Sequence, residues 1–267
     1  MKEINTKKIL QHINFFDENM IIYAAGSRVE GFGNEKSDVD IYIICDFTKF
    51  SNNQKEIRDE EIFIKSADTF INNFIYENIR YDIEYWDIKK VYSIIEKVNN
   101  YSVTGDKKVP PLSKNECDFI HRLQYSMPIT NHKSFNTIKQ KINFVNYKKM
   151  MAIIHIENFD GYIEDLDGAL QSKDFYTAYM VMKLALEEIT EAYLSINGET
   201  NPNRKWLLRK LKRYNSKSTD TLFSDFKFHY NNLTLDQCNN EENIFPILEF
   251  AQSINTKTQS FIYKSKE

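Results

Sequence analysis

Residues 21–44 read Ile-Ile-Tyr-Ala-Ala-Gly-Ser-Arg-Val-Glu-Gly-Phe-Gly-Asn-Glu-Lys-Ser-Asp-Val-Asp-Ile-Tyr-Ile-Ile. Ile21 to Ala25 is an apolar run of strand length that stops at Gly26-Ser27. A glycine-bearing loop follows, and Asp38-Val39-Asp40 opens a second apolar run, Ile41 to Cys45. The expected order is strand, turn, loop, strand. Side chains alternate along a strand, so Asp38 and Asp40 share one face while Val39 and Ile41 enter a core on the other. Two converging carboxylates repel each other unless a cation sits between them, and hard oxygen donors of this kind suit Mg²⁺. A metal-bound nucleotide is the natural guest.

Gly26-Ser27 followed by Ser37-Asp38-Val39-Asp40 resembles the hallmark of the nucleotidyltransferase superfamily, to which DNA polymerase beta and the aminoglycoside nucleotidyltransferases belong. The ordinary alternative is a plain turn followed by polar residues at the solvated start of a strand. Asp-x-Asp alone is common by chance; after a strand, a Gly-Ser turn and a loop it is much rarer.

Arg80-Tyr81-Asp82-Ile83-Glu84-Tyr85-Trp86 returns to period two, so Asp82 and Glu84 also share a face. In the superfamily a third acidic residue beside the Asp-x-Asp strand completes the metal site, and the context of Asp82 resembles it best. Glu84 is the alternative, as second ligand or base. The resemblance implies two Mg²⁺ ions held by Asp38, Asp40 and Asp82, and a nucleoside triphosphate, ATP or another, whose α-phosphorus is attacked by an acceptor hydroxyl as pyrophosphate leaves. Catalysis is then mainly positioning and charge neutralisation. Gly26, Ser27, Ser37 and nearby backbone amides are expected to cradle the phosphates. Arg28 either assists or is a surface charge.

Composition is consistent with this reading. The chain has 267 residues, 42% hydrophobic and 14% aromatic, enough for two ordinary globular domains. No apolar run approaches membrane-spanning length, and the amino terminus lacks the apolar block of a signal peptide, so the expected location is cytoplasmic with no membrane partner. Cys45, Cys117 and Cys238 are far apart and lack metal-ligand spacing, which removes a zinc site or disulfide framework from consideration. Histidines 12, 121, 132, 155 and 229 are scattered without triad spacing. Net charge is −3, which argues against a surface built throughout for nucleic acid.

Further along, helical periodicity predicts a helix over Asn5 to Asn19 capped by Asn5 or Thr6, a helix over Ala67 to Glu77 with Phe70, Phe74 and Ile75 on one side, and a helix over Asp87 to Asn99, while weak alternation predicts a short strand over Glu61 to Lys65. Asp46 to Glu60 is a polar connection. Residues 101–112, with Gly105, Asp106 and Pro110-Pro111, read as a linker. The domains are placed at 1–105, a nucleotidyltransferase domain with a small mixed sheet, and 106–267, an α-helical bundle; the fold class is α+β.

In the bundle, Ser113 with Glu116 forms a capping box for a helix to Tyr125 that Met127-Pro128 ends. Ser134 to His155 is a long amphipathic run whose continuation, Glu157 to Asp174, holds six acids against one lysine. Asp174 to Asn197, stopped by Gly198, is a further helix, followed by Arg204 to Tyr214, Thr219 to Leu233 and Asn243 to Ile262. From Asn203 to Lys217 there are seven Lys or Arg and no acid. Its turn after a long helix resembles the C-terminal domain of bacterial small-molecule nucleotidyltransferases, where a lysine reaches the triphosphate; Lys205 is the matching residue.

A small acceptor such as an aminoglycoside-like compound is favoured, since the acidic stretch 157–174 suits a cation, although it reads equally as a solvated face. Transfer to a tRNA or a partner protein such as a toxin has the basic stretch 203–217 as its hint. A non-catalytic nucleotide-binding protein is the third reading, opposed by the retention of mutually repelling Asp38, Asp40 and Asp82.

Overall fold

The computed structural model describes residues 6–13, 17–52, 62–65, 69–103, 110–234 and 241–264. The expected Asn5 cap, Gly105 and Asp106 of the linker, most of the polar connection 53–60, Glu61 and Cys238 lie outside them. The chain forms two compact units, one of residues 1–100 with 112–143 and one of 101–111 with 144–267. The sequence places the division near 105. Instead the chain returns to the sheet unit at 112 and leaves it at 143.

The sheet unit contains β1 (Ile21–Ala25), β2 (Val39–Cys45), β3 (Ile62–Lys65), β4 (Thr69–Tyr76), β5 (Ile79–Asp87) and the two-residue β6 (Met127–Pro128), in the order β3-β4-β5-β2-β1-β6. Every neighbouring pair is antiparallel except β2 and β5, which run parallel. Their register sets Asp40 beside Asp82 and Tyr42 beside Glu84.

Alternation divides the side chains. Val39, Ile41 and Ile43 of β2, Tyr81, Ile83 and Tyr85 of β5, and Phe70 and Phe74 of β4 form one buried face with Ile9 of α1 (Thr6–His12) and Ile13 just beyond it. His12 stacks on Phe74 at 4.3 Å. Burying each such isoleucine contributes roughly 1.5–3 kcal/mol, which pins β2 in register, because a one-residue slip would turn Ile41 and Ile43 outward. On the other face α4 (Lys114–Gln124) packs Phe119 against Trp86 at 4.4 Å.

The capping box is present: Ser113 Oγ accepts from Glu116 N and Glu116 Oε2 accepts from Ser113 N at 2.7 Å. Glu116 Oε1 also meets Lys90 at 3.1 Å and Lys97 at 3.0 Å, both on α3 (Ile88–Asn99), fastening the start of α4 to that helix.

Three elements differ from the sequence expectation. Residues 69–76 are strand β4, not a helix: Phe70 and Phe74, four apart, fit either period, but Asn72 between them is buried on the same face while Ile71 and Asn73 are less buried, the period of two of a strand. The run from 134 is broken, since α5 (His132–Gln140) ends and α6 (Phe144–Gln171) begins where Asn99 accepts from Asn143 N and donates to Lys141 O, each at 2.8 Å. Helix α1 ends at His12, short of Asn19, and Met127-Pro128 adds a strand at the sheet edge rather than only ending α4.

The helical unit is built on α6 and α7 (Phe175–Ile196), joined by a short turn in which Asp174 caps α7 by accepting from Thr177 N. Around them lie a 3₁₀ turn (Arg204–Trp206), α8 (Leu207–Asn215), α9 (Leu222–Asn231) and α10 (Phe245–Lys264). Among the described residues no helix is long and apolar enough to cross a membrane.

The basic stretch is largely spent inside this unit: Arg204 pairs with Glu187, Arg213 Nη2 meets Glu199 at 2.6 Å, Lys217 meets it at 3.3 Å, and Lys210 is fully buried. The acids Glu157, Asp160, Glu164, Asp165 and Asp167 are exposed on α6, a solvated face.

Polar groups are also buried between α6 and α7. Burial raises the Glu191 carboxyl to about 7, against the charge of His155 and a hydrogen bond from Asn201. Burial works against the charged form of His155, but its hydrogen bond to Glu188 at 2.7 Å and the charge of Glu191 outweigh it and raise its pKa. Both folded pKa values exceed the unfolded ones. Between the ordinary carboxylate value of 4.5 and about 7 the unfolded chain ionises Glu191 while the folded chain keeps it protonated, so stability falls as pH rises through this window. His155 adds to the same fall above its ordinary value of 6.5. Thermal melts should therefore decline from about pH 5 to about pH 8, and Glu191→Gln should flatten the slope. A variant slope equal to wild type contradicts this origin.

Candidate functional site

The site lies in the sheet unit, where the β2–β5 pair meets the Gly-Ser turn. A cavity of about 280 Å³ is lined by Asp40, Tyr42, Asn73, Asp82, Glu84, Asp118 and Arg122, with Ile71, Arg80 and Ile83 at its margin. The even-numbered residues of β2 and β5 point into it together, as alternation requires, with Asn73 and Ile71 paired across from Asp82 and Glu84 on β4.

Burial raises the Asp40 carboxyl to about 6, with Arg122 opposing the rise and Asp82, Asp38 and Asp118 adding to it. Burial also raises Asp82, opposed by Arg80, whose Nε lies 2.7 Å from Asp82 Oδ1. Glu84 is raised to about 7, chiefly by burial and then by Asp118; Trp86 Nε1 donates to its Oε1 at 2.8 Å. Asp82 is thus the direct neighbour of Asp40, while Glu84 sits one pair deeper and is held by Trp86.

The turn is shaped by its partners. Gly26 has φ +77°, and a Cβ built there would overlap Asp40 Oδ2 and come within 2.6 Å of Arg122 Nη1. Glycine lets this carboxylate and guanidinium lie against the backbone. Ser27 O accepts from the amides of Phe32 and Gly33, each at 2.8 Å, closing the loop over the short helix α2 (Gly26–Val29).

Arg28 is a strap across this loop: its Nε donates to Ser37 O at 2.7 Å and Asp38 O at 3.3 Å, and its Nη2 donates to Glu35 O at 3.2 Å. Ser37 Oγ accepts from Asn34 N at 2.8 Å. These two residues shape the turn that delivers Asp38 to β2. Asp38 precedes the first residue of that strand and adds its charge beside Asp40. Lys205 belongs to the helical unit, exposed, with its ammonium 5.0 Å from the centroid of the Trp206 ring.

The sequence reading missed Asp118 and Arg122. They stand one turn apart on α4, Arg122 Nε meeting Asp118 at 3.3 Å, and Arg122 Nη1 lies 3.5 Å from Asp40 Oδ2. The spacing of the pair was visible, but not that α4 crosses the carboxylate face. A buried contact between His121 Nε2 and Glu30 Oε1, 3.1 Å apart, anchors α4 to the loop and sets Arg122 over the turn.

The oxygen-only donor set of Asp38, Asp40 and Asp82 fits a hard divalent cation in type. Among the described residues no group of three or more His, Cys, Asp or Glu stands at metal-holding spacing, and the cation facing Asp40 is Arg122.

No family model and no curated protein matches the chain. In fold it is similar to the crystal structure of a nucleotidyltransferase-like protein from Exiguobacterium sibiricum 255-15, with a TM-score of 0.50 and 10% identity, covering 97% of this chain and 78% of that one. The fold is nucleotidyltransferase-like, α+β, with the sheet before the helical region. At such identity the likeness concerns fold, not acceptor.

Gly26 and Gly31 offer a controlled comparison, since both have positive φ but nothing lies within 4 Å of a Cβ at Gly31. Gly31→Ala should cost only backbone strain, on the order of 1 kcal/mol. Gly26→Ala adds overlap with Asp40 and should lower the melting temperature further, by several degrees more at roughly 4 °C or less per kcal/mol. Equal melting temperatures would remove the close packing at Gly26.

Proposed function

We propose that the protein is a metal-dependent nucleotidyltransferase that moves a nucleoside monophosphate, AMP from ATP in the favoured case, onto an acceptor hydroxyl. The observation that carries this reading is the placement of Asp40 beside Asp82 on parallel strands, in one cavity, against the Gly26-Ser27 turn. Adjacent half-buried carboxylates are an unfavourable arrangement that a bound cation relieves.

In this reading Asp38, Asp40 and Asp82 hold Mg²⁺, which when bound neutralises charge on the phosphates and lowers the pKa of the acceptor hydroxyl. The Gly26-Ser27 turn receives the β- and γ-phosphates, and Arg28 and Ser37 act by fixing the loop. The acceptor oxygen forms a bond to the α-phosphorus, the bond to the β-phosphate oxygen breaks, and pyrophosphate leaves. Glu84, or Asp82 where it is not ligating, would take the hydroxyl proton as general base. Lys205 remains a candidate triphosphate contact on the sequence resemblance.

A small cationic acceptor, aminoglycoside-like in chemistry, is favoured over tRNA or protein. The cavity carries four carboxylates, Asp40, Asp82, Glu84 and Asp118, which concentrate cations. The basic stretch offers less to a polyanion than its sequence suggests, because Arg204, Arg213 and Lys217 are paired with acids and Lys210 is buried.

The test is transfer of α-labelled nucleotide, with Mg²⁺, to aminoglycosides, total tRNA and lysate protein in turn. Label from ATP should appear on a small molecule. Asp40→Asn and Asp82→Asn should each reduce transfer on the order of 10²-fold or more, as loss of a metal ligand requires, while Glu84→Gln keeps partial rate. Undiminished transfer by Asp40→Asn contradicts the assignment, and label confined to tRNA overturns the choice of acceptor.

A further inference from the structure

Arg122 is the least expected member of the site. A guanidinium on α4 reaches across to a carboxylate that the nucleotidyltransferase reading gives to a metal ion. Its Nη1 is 3.5 Å from Asp40 Oδ2, longer than a tight charge-assisted bond, while its Nε is shared between both oxygens of Asp118 at 3.3 Å. Asp118 thus tethers the side chain in the cavity whether or not it faces Asp40. The guanidinium also lies against Gly26, on the turn assigned to the polyphosphate.

Arg80 on Asp82 is a different kind of partner. That pair is tighter, but Arg80 is 52% exposed against 21% for Arg122, and an exposed ion pair is readily exchanged with water. Arg122 is the cation a metal would have to meet.

We propose that Arg122 is a resident counter-ion of Asp40, which disfavours binding of a divalent cation alone and is taken over by the polyphosphate when metal and nucleotide arrive together. The proposal rests on the nucleotidyltransferase reading and makes it specific: metal binding becomes dependent on nucleotide. A divalent cation entering alone would sit beside a guanidinium held in a half-buried cavity, and like charges at such range repel strongly where water is scarce. Entering with a polyphosphate, it brings anionic oxygens for the guanidinium, so the same arginine that opposes the metal favours the complex. The missing Cβ at Gly26 leaves room for the guanidinium between carboxylate and turn.

The experiment is direct Mn²⁺ binding, followed by the electron paramagnetic resonance signal of the free ion, with and without a nonhydrolysable ATP analogue. Arg122→Gln and Arg122→Met, the latter keeping an apolar stem, should each bind Mn²⁺ alone on the order of tenfold more tightly than wild type. Both should bind the analogue with Mn²⁺ more weakly, and Arg122→Lys, which keeps a cation, should follow wild type. A purely structural role predicts the opposite sign for the metal alone, because disordered carboxylates bind it less well.

In wild type, the ¹⁵Nε resonance of Arg122 should shift with analogue plus Mg²⁺ and stay put with Mg²⁺ alone, a readout independent of whether the variants fold. Unchanged or weaker Mn²⁺ binding by folded variants, or a resonance that moves with Mg²⁺ alone, overturns the inference and leaves the nucleotidyltransferase reading standing. Absence of Mn²⁺ binding by wild type even with the analogue overturns that reading, and the inference with it.

Discussion

Carboxylates do not gather without a reason, and the parallel pairing of β2 with β5 forces two of them together. Asp40 and Asp82 are opposed in register because Ile41 and Ile83, one position on, must both enter the buried face. The apolar alternation that holds the sheet also dictates the crowding of charge on its other side. Burial is the main cause of the upward shifts of Asp40 and Asp82, and neighbouring acids add to them. Packing drives the fold, and electrostatic tension is its residue at the site.

Much of the surrounding structure manages this tension. The Gly26 backbone allows Asp40 and Arg122 to approach where any side chain would collide. Arg28 ties the loop to the chain just ahead of β2 through carbonyl oxygens, so its charge serves geometry. Helix α4 is fixed at its start by the Glu116 contacts to α3 and near its end by His121 with Glu30, which leaves Asp118 and Arg122 one turn apart over the cavity. A helix that looks like simple cover for Trp86 therefore carries part of the site.

What could be read from the sequence follows from how local each signal is. The strands 21–25 and 39–45 and the aspartates between turn and strand are announced by adjacent residues, as is the Ser113–Glu116 capping box. Residues 69–76 deceive because a spacing of four satisfies a helix and a strand alike. The break between α5 and α6 has no glycine or proline to mark it; it is held by Asn99, more than forty residues earlier in sequence, and is visible only in three dimensions. Arg122 was hidden for the same reason, since its partner Asp40 lies on a strand 82 positions away. The basic stretch 203–217 misled in another way: Arg204, Arg213 and Lys217 are paired with acids of α7 and the turn after it and Lys210 is buried, which a count of lysines and arginines does not reveal.

The central claim is that the Asp40–Asp82 pair, with Asp38, is the seat of a divalent cation carried by a nucleotide. Anomalous scattering from a crystal grown with Mn²⁺ and a nonhydrolysable ATP analogue addresses it most directly. The account predicts an anomalous peak within about 2.5 Å of carboxylate oxygens of both Asp40 and Asp82, with the polyphosphate at the Gly26-Ser27 turn. A peak away from these two residues, or a nucleotide bound with none, would contradict it.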